Sequence, residues 1–222
     1  MRLRRNCLWA LMPLGAMALS ALATQTSAQE PVTQPRAVVP EAAVGTTQSD
    51  QGPDGTINVR TDTYQVTGSS YKDLWSSVQR AAMENGPEMG IGEASISFQP
   101  RANFEEGQGG CVASDVAVDM NAVLTFPEWH HTGEAAANAT AAFDRMLAYL
   151  RVHEAQHVEI AREYRAKMID AIKTLPMATS CEGMRAAVQK AALAINALHQ
   201  KAQREYDVEQ RKRSTELFGW EG

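Results

Sequence analysis

Cysteine is scarce in this chain: three in 222 residues, with no Cys-x-x-Cys spacing among them. That excludes a four-cysteine zinc ribbon and a small fold held together by many disulfides. A basic excess is also missing, since 21 Lys and Arg face 26 Asp and Glu for a formal net charge of −5. Phosphate backbones require clustered Lys and Arg, so no nucleic-acid partner is expected. Long apolar runs are absent too. The longest, from Leu8 to about Ala23, falls short of the roughly 20 residues of a membrane span. Glycine and proline are missing from the whole stretch 134–174, which leaves nothing there to break a helix.

That apolar run follows Arg2, Arg4 and Arg5 and precedes small residues ending in Ser27-Ala28. This is the pattern of a secretory signal peptide over residues 1–28, cleaved after Ala28 or alternatively after Ala23. The remaining chain is expected to be exported, periplasmic or extracellular, without a transmembrane span, and its formal charge moves from −5 to −8. Cys7 leaves with the signal. Cys111 and Cys181 stay behind in an oxidising compartment, where one disulfide is their simplest fate; isolated cysteine metal ligands are the alternative.

Residues 29–56 are rich in Pro, Gln, Thr and Gly and hold no aromatic residue. Such a segment cannot bury enough surface to offset its ordering entropy and reads as a disordered linker. Residues 57–222 suit one globular domain. INVRTDTYQV reads as a strand. SSYKDLWSSVQRAAMENG reads as a helix with a capping-box-like start at Ser70 and Asp73, stopped by Gly86-Pro87. EASISFQP alternates inward Ala94, Ile96 and Phe98, and CVASDVAVDMNAVLTFPEW, alternating Val112, Ser114, Val116, Val118 and Met120, is its expected hairpin partner. Trp129 and Trp75 are expected to pack under the sheet.

From Glu134 to about Thr174, Phe143, Leu147, Leu150, Glu154, His157, Ala161, Tyr164 and Met168 recur at helical spacing. LPMATSC turns the chain into a second long helix, whose seam runs Met184, Val188, Ala191, Ile195, Leu198, Ala202, Glu205 and Glu209. So short a connection favours antiparallel packing. The fold class is α+β: a small antiparallel sheet packed on a long antiparallel helical hairpin.

The first long helix contains RVHEAQHVEI, an H-E-x-x-H pattern. His153 and His157 stand one turn apart on one face, a spacing that meets zinc without reorganisation. Glu154 beside them can take the proton of a zinc-activated water, and peptide hydrolysis follows. The bland reading is two satisfied core histidines on an apolar stripe. Catalytic zinc needs a third protein ligand. The extended pattern with glycine and a third histidine fails, because Ile160 and Glu163 stand at those places, and Glu163 reads as a solvated face residue. Reflection about Ala178 sets His157 opposite His199 and Arg151 opposite Glu205. Glu205, on the seam, ranks first as third ligand, His199 second, and Asp207, off the seam of a regular helix, third. A salt bridge to Arg151 is the bland account of Glu205. His130 and His131 read as exposed loop residues, and the Asn138-Ala139-Thr140 sequon falls inside a helix.

In order along the chain, YQVTG (64–68), NGP (85–87), GGC (109–111), FPEW (126–129), HEAQH (153–157), Cys181 and Tyr206-Asp207 resemble a bacterial family of predicted secreted zinc-dependent proteases, catalogued as domain of unknown function 922. The resemblance covers most of residues 57–210. It implies a zincin-like fold, one zinc at His153 and His157, Glu154 as general base, and a Cys111–Cys181 disulfide. The family's Tyr-Asp is usually followed by a Thr and then a His-Gly pair. This chain departs there, reading YDVEQRKRS with Gln210 and Lys212; if that histidine or its neighbours complete the site in relatives, this chain must use another ligand or has lost activity.

The expected function is a secreted zinc-dependent peptidase acting on a peptide or protein substrate, an enzyme of the metalloprotease type. The strand ending at FPEW offers an edge to extended substrate. The alternative is a non-catalytic envelope binding module with a structural or vestigial metal.

Overall fold

The computed structural model describes residues 47–84, 91–131 and 137–218. The expected signal peptide, residues 29–46 of the expected linker and the Gly86-Pro87 stop lie outside them. Strand β1 (Thr47–Gly52) is followed by β2 (Gly55–Thr67), helix α1 (Tyr71–Glu84), β3 (Glu93–Gly107), β4 (Gly110–His130), α2 (Ala137–Lys173) and α3 (Cys181–Phe218). The class is α+β, as expected.

β1 occupies part of the stretch whose composition favours a linker. It is exposed throughout and depends on main-chain pairing with β2, from Thr47↔Arg60 to Gly52↔Gly55. Pro53 and Asp54 form the two-residue turn, and Gly55 leaves it at φ +107°, a region that favours glycine. Composition registers missing apolar surface and does not see a hairpin held by its backbone.

The sheet is mixed, not antiparallel. Its order is β1-β2-β4-β3, and β2 runs parallel to β4 from Ile57↔Met120 to Thr67↔His130. Alternation identifies a strand but carries no direction. Here α1 crosses over after β2, and the β3–β4 hairpin places β4 inside the sheet. Pro100 lies on the edge strand β3. Pro127 lies beyond the last β3 partner of β4, Thr125. Both therefore avoid a strand paired on both sides, where a missing N–H would cost a ladder bond.

Ser70 caps α1 as expected: its hydroxyl accepts from Asp73 N at 3.3 Å and donates to Asp73 Oδ2 at 2.7 Å. Leu74 and Val78 then bury against Val66, Phe126, Phe143 and Leu150. Trp129 stacks near Phe143 and donates from Nε1 to Gly68 O at 2.9 Å. The inward alternation of Ile96 and Phe98 holds, facing Met120, Ala122, Val158 and Ala161. Along β4 it breaks. Asp115 takes φ +47° beside a register shift between Arg101 and Asn103. The shift changes parity, so Cys111 is buried while Val112 is exposed.

Cys111 and Cys181 form a disulfide with a Cα–Cα distance of 5.0 Å. Ala178 pairs with Cys111 through two main-chain hydrogen bonds of 2.8 and 3.0 Å. Gly110 allows that approach, since a Cβ there would stand 2.1 Å from Ala178 O. The turn between α2 and α3 is thus fixed to β4. Closing a loop of 70 residues contributes about 4 kcal/mol in the chain-entropy account. No helix among the described residues is long and apolar enough to cross a membrane.

Candidate metal centre

α2 buries one stripe that includes Phe143, Met146, Leu150, Glu154, His157, Val158, Ala161 and Met168. The periodicity that builds the core therefore also carries the H-E-x-x-H residues inward. The donor atoms of His153, Glu154 and His157 lie within 4.8 Å of one another, a group able to hold a metal ion. It opens into a cleft of 530 Å³ between the start of β3, α2 and α3.

α3 supplies the next donor, and it is not the one ranked first. Glu205 is exposed and pairs with Lys201 at 3.3 Å, so it does not join the histidines. Arg151 plays no part in its pairing there. Asp207 does join them. Its Oδ1 stands 2.9 Å from His157 Nε2 and 3.3 Å from His153 Nε2, and the two imidazole nitrogens are 3.2 Å apart. Ligands arranged tetrahedrally about zinc at about 2.0–2.1 Å stand about 3.3–3.4 Å from each other. The observed triangle fits that base with its sides drawn in slightly.

The reason for the change of residue lies in helix phase. The expected seam ran through Leu198, Ala202 and Glu205. The face turned toward the site runs through His199, Gln203 and Asp207. Asp207 lies two residues beyond Glu205, a rotation of about 200° around the helix, enough to exchange a solvated position for a site position. The register also lies one turn further along α3 than reflection about Ala178 gives. Cys111 and Cys181 hold the turn on β4, so the turn is not a symmetric hinge.

His199, ranked second, is fully buried but stands behind the triangle. Phe98 and Tyr164 meet its ring edge-on at 4.9 and 5.8 Å. Its Nε2 accepts from Gln203 Nε2 at 2.7 Å. Burial first, then the positive charge on His157, pushes its pKa down to about 4, so it is neutral at physiological pH.

Gln203 is a site residue the sequence did not single out, and it settles the protonation of His157. Its Nε2 donates to the His157 carbonyl at 3.0 Å, and a carbonyl can only accept. Its other atom is therefore oxygen, and His157 Nδ1, 2.5 Å away, must donate to it. When neutral, His157 then carries its lone pair at Nε2, aimed at His153 and Asp207. His153 is held by ring stacking, between Tyr206 at 5.0 Å and Tyr149 at 6.0 Å.

Two imidazole nitrogens and a carboxylate oxygen converging this closely repel unless a positive charge lies among them. Asp207 and His157 each favour the charged form of the other. Burial pulls the His157 pKa down, yet the hydrogen bonds with Asp207 and Gln203 and the charges of Asp207 and Glu154 outweigh it and raise it. Partial burial pushes Asp207 up, and hydrogen bonds and charge from His153 and His157 outweigh that, holding it well below the usual carboxylate range. The donor set is hard and borderline, nitrogen and oxygen, of a kind that zinc and other divalent transition metals accept.

Glu154 is 3% exposed. Burial raises its pKa to about 7, against the opposing charges of His153 and His157. Gly92, the residue before β3, gives its carboxylate room: a Cβ there would stand 2.7 Å from Glu154 Oε1.

The remaining histidines stay apart. His130 pairs with Glu128 at 3.6 Å and His131 packs on Trp129. Both are exposed, as expected, but His130 ends strand β4 and does not lie in a loop. Glu163 pairs with Lys167 at 2.6 Å on the solvated face, and Asn138 lies inside α2. Gln210 and Arg211 line the cleft beyond Asp207.

No curated protein and no solved structure matches the chain. A family model described as "Bacterial protein of unknown function (DUF922)" matches residues 61–214, which include β4, both long helices up to Ser214 and every residue of the triangle. The chain belongs to that family of bacterial proteins of unknown function.

Proposed function

We propose that the chain is an exported zinc-dependent peptidase whose metal is held by His153, His157 and Asp207. The observation that carries this reading is the triangle of Nε2, Nε2 and Oδ1 atoms, 2.9 to 3.3 Å on a side, beside a buried Glu154 and open to a cleft. The antiparallel run of the two long helices supports it: His153 meets Asp207 while His157 meets Gln203. Three protein donors leave a position free, as a catalytic site requires; a structural site is closed by four.

Zinc bound there would supply Lewis-acid activation of a water molecule and of a substrate carbonyl. The chain's own residues do the rest. Gln203 fixes the His157 tautomer, and Asp207 balances the charge. Glu154, buried beside the two histidines and within 4.8 Å of their donor atoms, is placed to accept a proton and return it to the leaving amine. The disulfide and the arginine-flanked apolar N-terminus support export to an oxidising compartment.

Metal analysis of the protein beside Glu154→Gln tests the proposal. Stoichiometric zinc in both, with peptidase activity only in the unmodified chain, is expected. Zinc in both with activity in neither would favour a binding module with a structural or vestigial metal. Absence of zinc from the unmodified chain would sink both.

A further inference from the structure

We infer that the substrate is an extended polypeptide segment, which lies along the free edge of β3 and reaches well past the metal cleft. The inference rests on the peptidase reading for its direction, toward the triangle, and goes beyond it in assigning a second stretch of surface.

β4 loses its β3 partner after Thr125, so FPEW does keep an unpaired edge, but none of its residues lines the cleft. That place belongs to β3, which ends the sheet and pairs with β4 alone among the described residues. A second groove, of 510 Å³, lies between Ile96–Pro100 of β3 and α3. It adjoins the metal cleft, with Ile96 and Gln200 lining both. Together they follow β3 from Glu93 to Pro100, about 26 Å of extended chain.

The opposite wall, from α3, sets a row of amides beside Arg185 and the aliphatic Val188, Ala192 and Leu193. Gln189, Asn196 and Gln200 line the groove from α3, at spacings of seven and four that place them on one helical face. The same face continues to Gln203 and Asp207 at the triangle. Each amide both donates and accepts, the pairing a peptide backbone offers on either side. An extended segment between β3 and α3 would thus meet a strand edge on one flank and amides on the other. Gln189 to Gln200 spans about 16 Å of helix, or about five residues of strand. Main-chain recognition of this kind supplies affinity with little demand on sequence.

The test uses the Glu154→Gln chain, which holds peptide without turnover. Its probes are two pools of fluorescein-labelled peptides with randomised uncharged side chains, about twelve and about four residues long, read by fluorescence anisotropy. The long pool is expected to bind at least about tenfold more tightly. Asn196→Trp, which fills the groove, is expected to remove that advantage and leave the short pool unchanged. Gln189→Ala with Asn196→Ala should reduce it with less risk to folding. Equal binding of the two pools, or long-pool binding indifferent to both variants, would overturn the inference. So would a concentration-dependent dimer dissolved by Asn196→Trp, which would assign the groove to a second copy. Hydrolysis by the unmodified chain separates the two readings: groove-dependent binding without cleavage sinks the peptidase alone, and cleavage with groove-independent binding sinks the groove alone.

Discussion

Gln203 grips His157 twice, giving a hydrogen bond to its carbonyl at 3.0 Å and accepting one from its Nδ1 at 2.5 Å. The backbone contact orients the amide, and the amide orients the ring. One side chain on α3 thus sets which nitrogen of a residue on α2 is free to bind a cation. Partners of this sort commonly contribute 10- to 100-fold in metal affinity. Gln203→Leu is therefore expected to weaken zinc binding by about 10- to 100-fold, measured by competition with a chelator. An unchanged affinity would show that the tautomer is set elsewhere.

Asp207 and Glu205 stand two residues apart and should behave as opposites. Asp207→Asn removes the charge among the triangle's donors and should lower zinc affinity by at least about tenfold. Glu205→Ala touches an exposed ion pair with Lys201, worth little by its nature, and should change neither affinity nor melting temperature. Equal effects from the two would remove Asp207 as a ligand.

Gly92→Ala probes the base without touching a donor of the triangle. The new Cβ would stand 2.7 Å from Glu154 Oε1, and the carboxylate must move. Peptidase turnover is expected to fall by about 100-fold, since small misplacements of a catalytic group carry costs of that order. Zinc content should stay stoichiometric. Full activity in this variant would separate Glu154 from the chemistry.

The pH dependence of the metal-free protein follows from Glu154. Its pKa rises from 4.5 to about 7 on folding, so the folded state holds its proton more tightly than the unfolded state does. The associated stability is present below pH 4.5 and lost as pH rises through 7, about 3 kcal/mol in all. Glu154→Gln cannot lose it. In chelator, the variant's melting temperature should match the parent near pH 4 and exceed it at pH 8. A gap of the opposite sign at pH 8 would contradict burial as the cause.

Much of this molecule follows from local rules. The capping pair at Ser70 and Asp73, the length of α2 and the inward Ile96 and Phe98 all repeat the residue pattern, because burial selects side chains at the period of their own element. The H-E-x-x-H residues were legible for the same reason, being one turn apart on one helix. The hairpin β1 was not, because backbone pairing leaves no apolar trace. The direction of β2 against β4 was not either, because alternation reads the same both ways. Gly92 gave no signal beyond being a glycine.

The sequence by itself determined the α+β class, the two long helices and the residues of α2 that face inward, since each depends on neighbours within a few turns or strands. Only the tertiary structure decided that Asp207 and not Glu205 meets those histidines, that Gln203 orients one of them, and that β3 carries the free edge beside them. Each of these depends on the rotational phase or order of elements that touch across the fold. A phase error of a residue or two in a helix is invisible to its own periodicity, yet it turns a ligand into a solvated side chain.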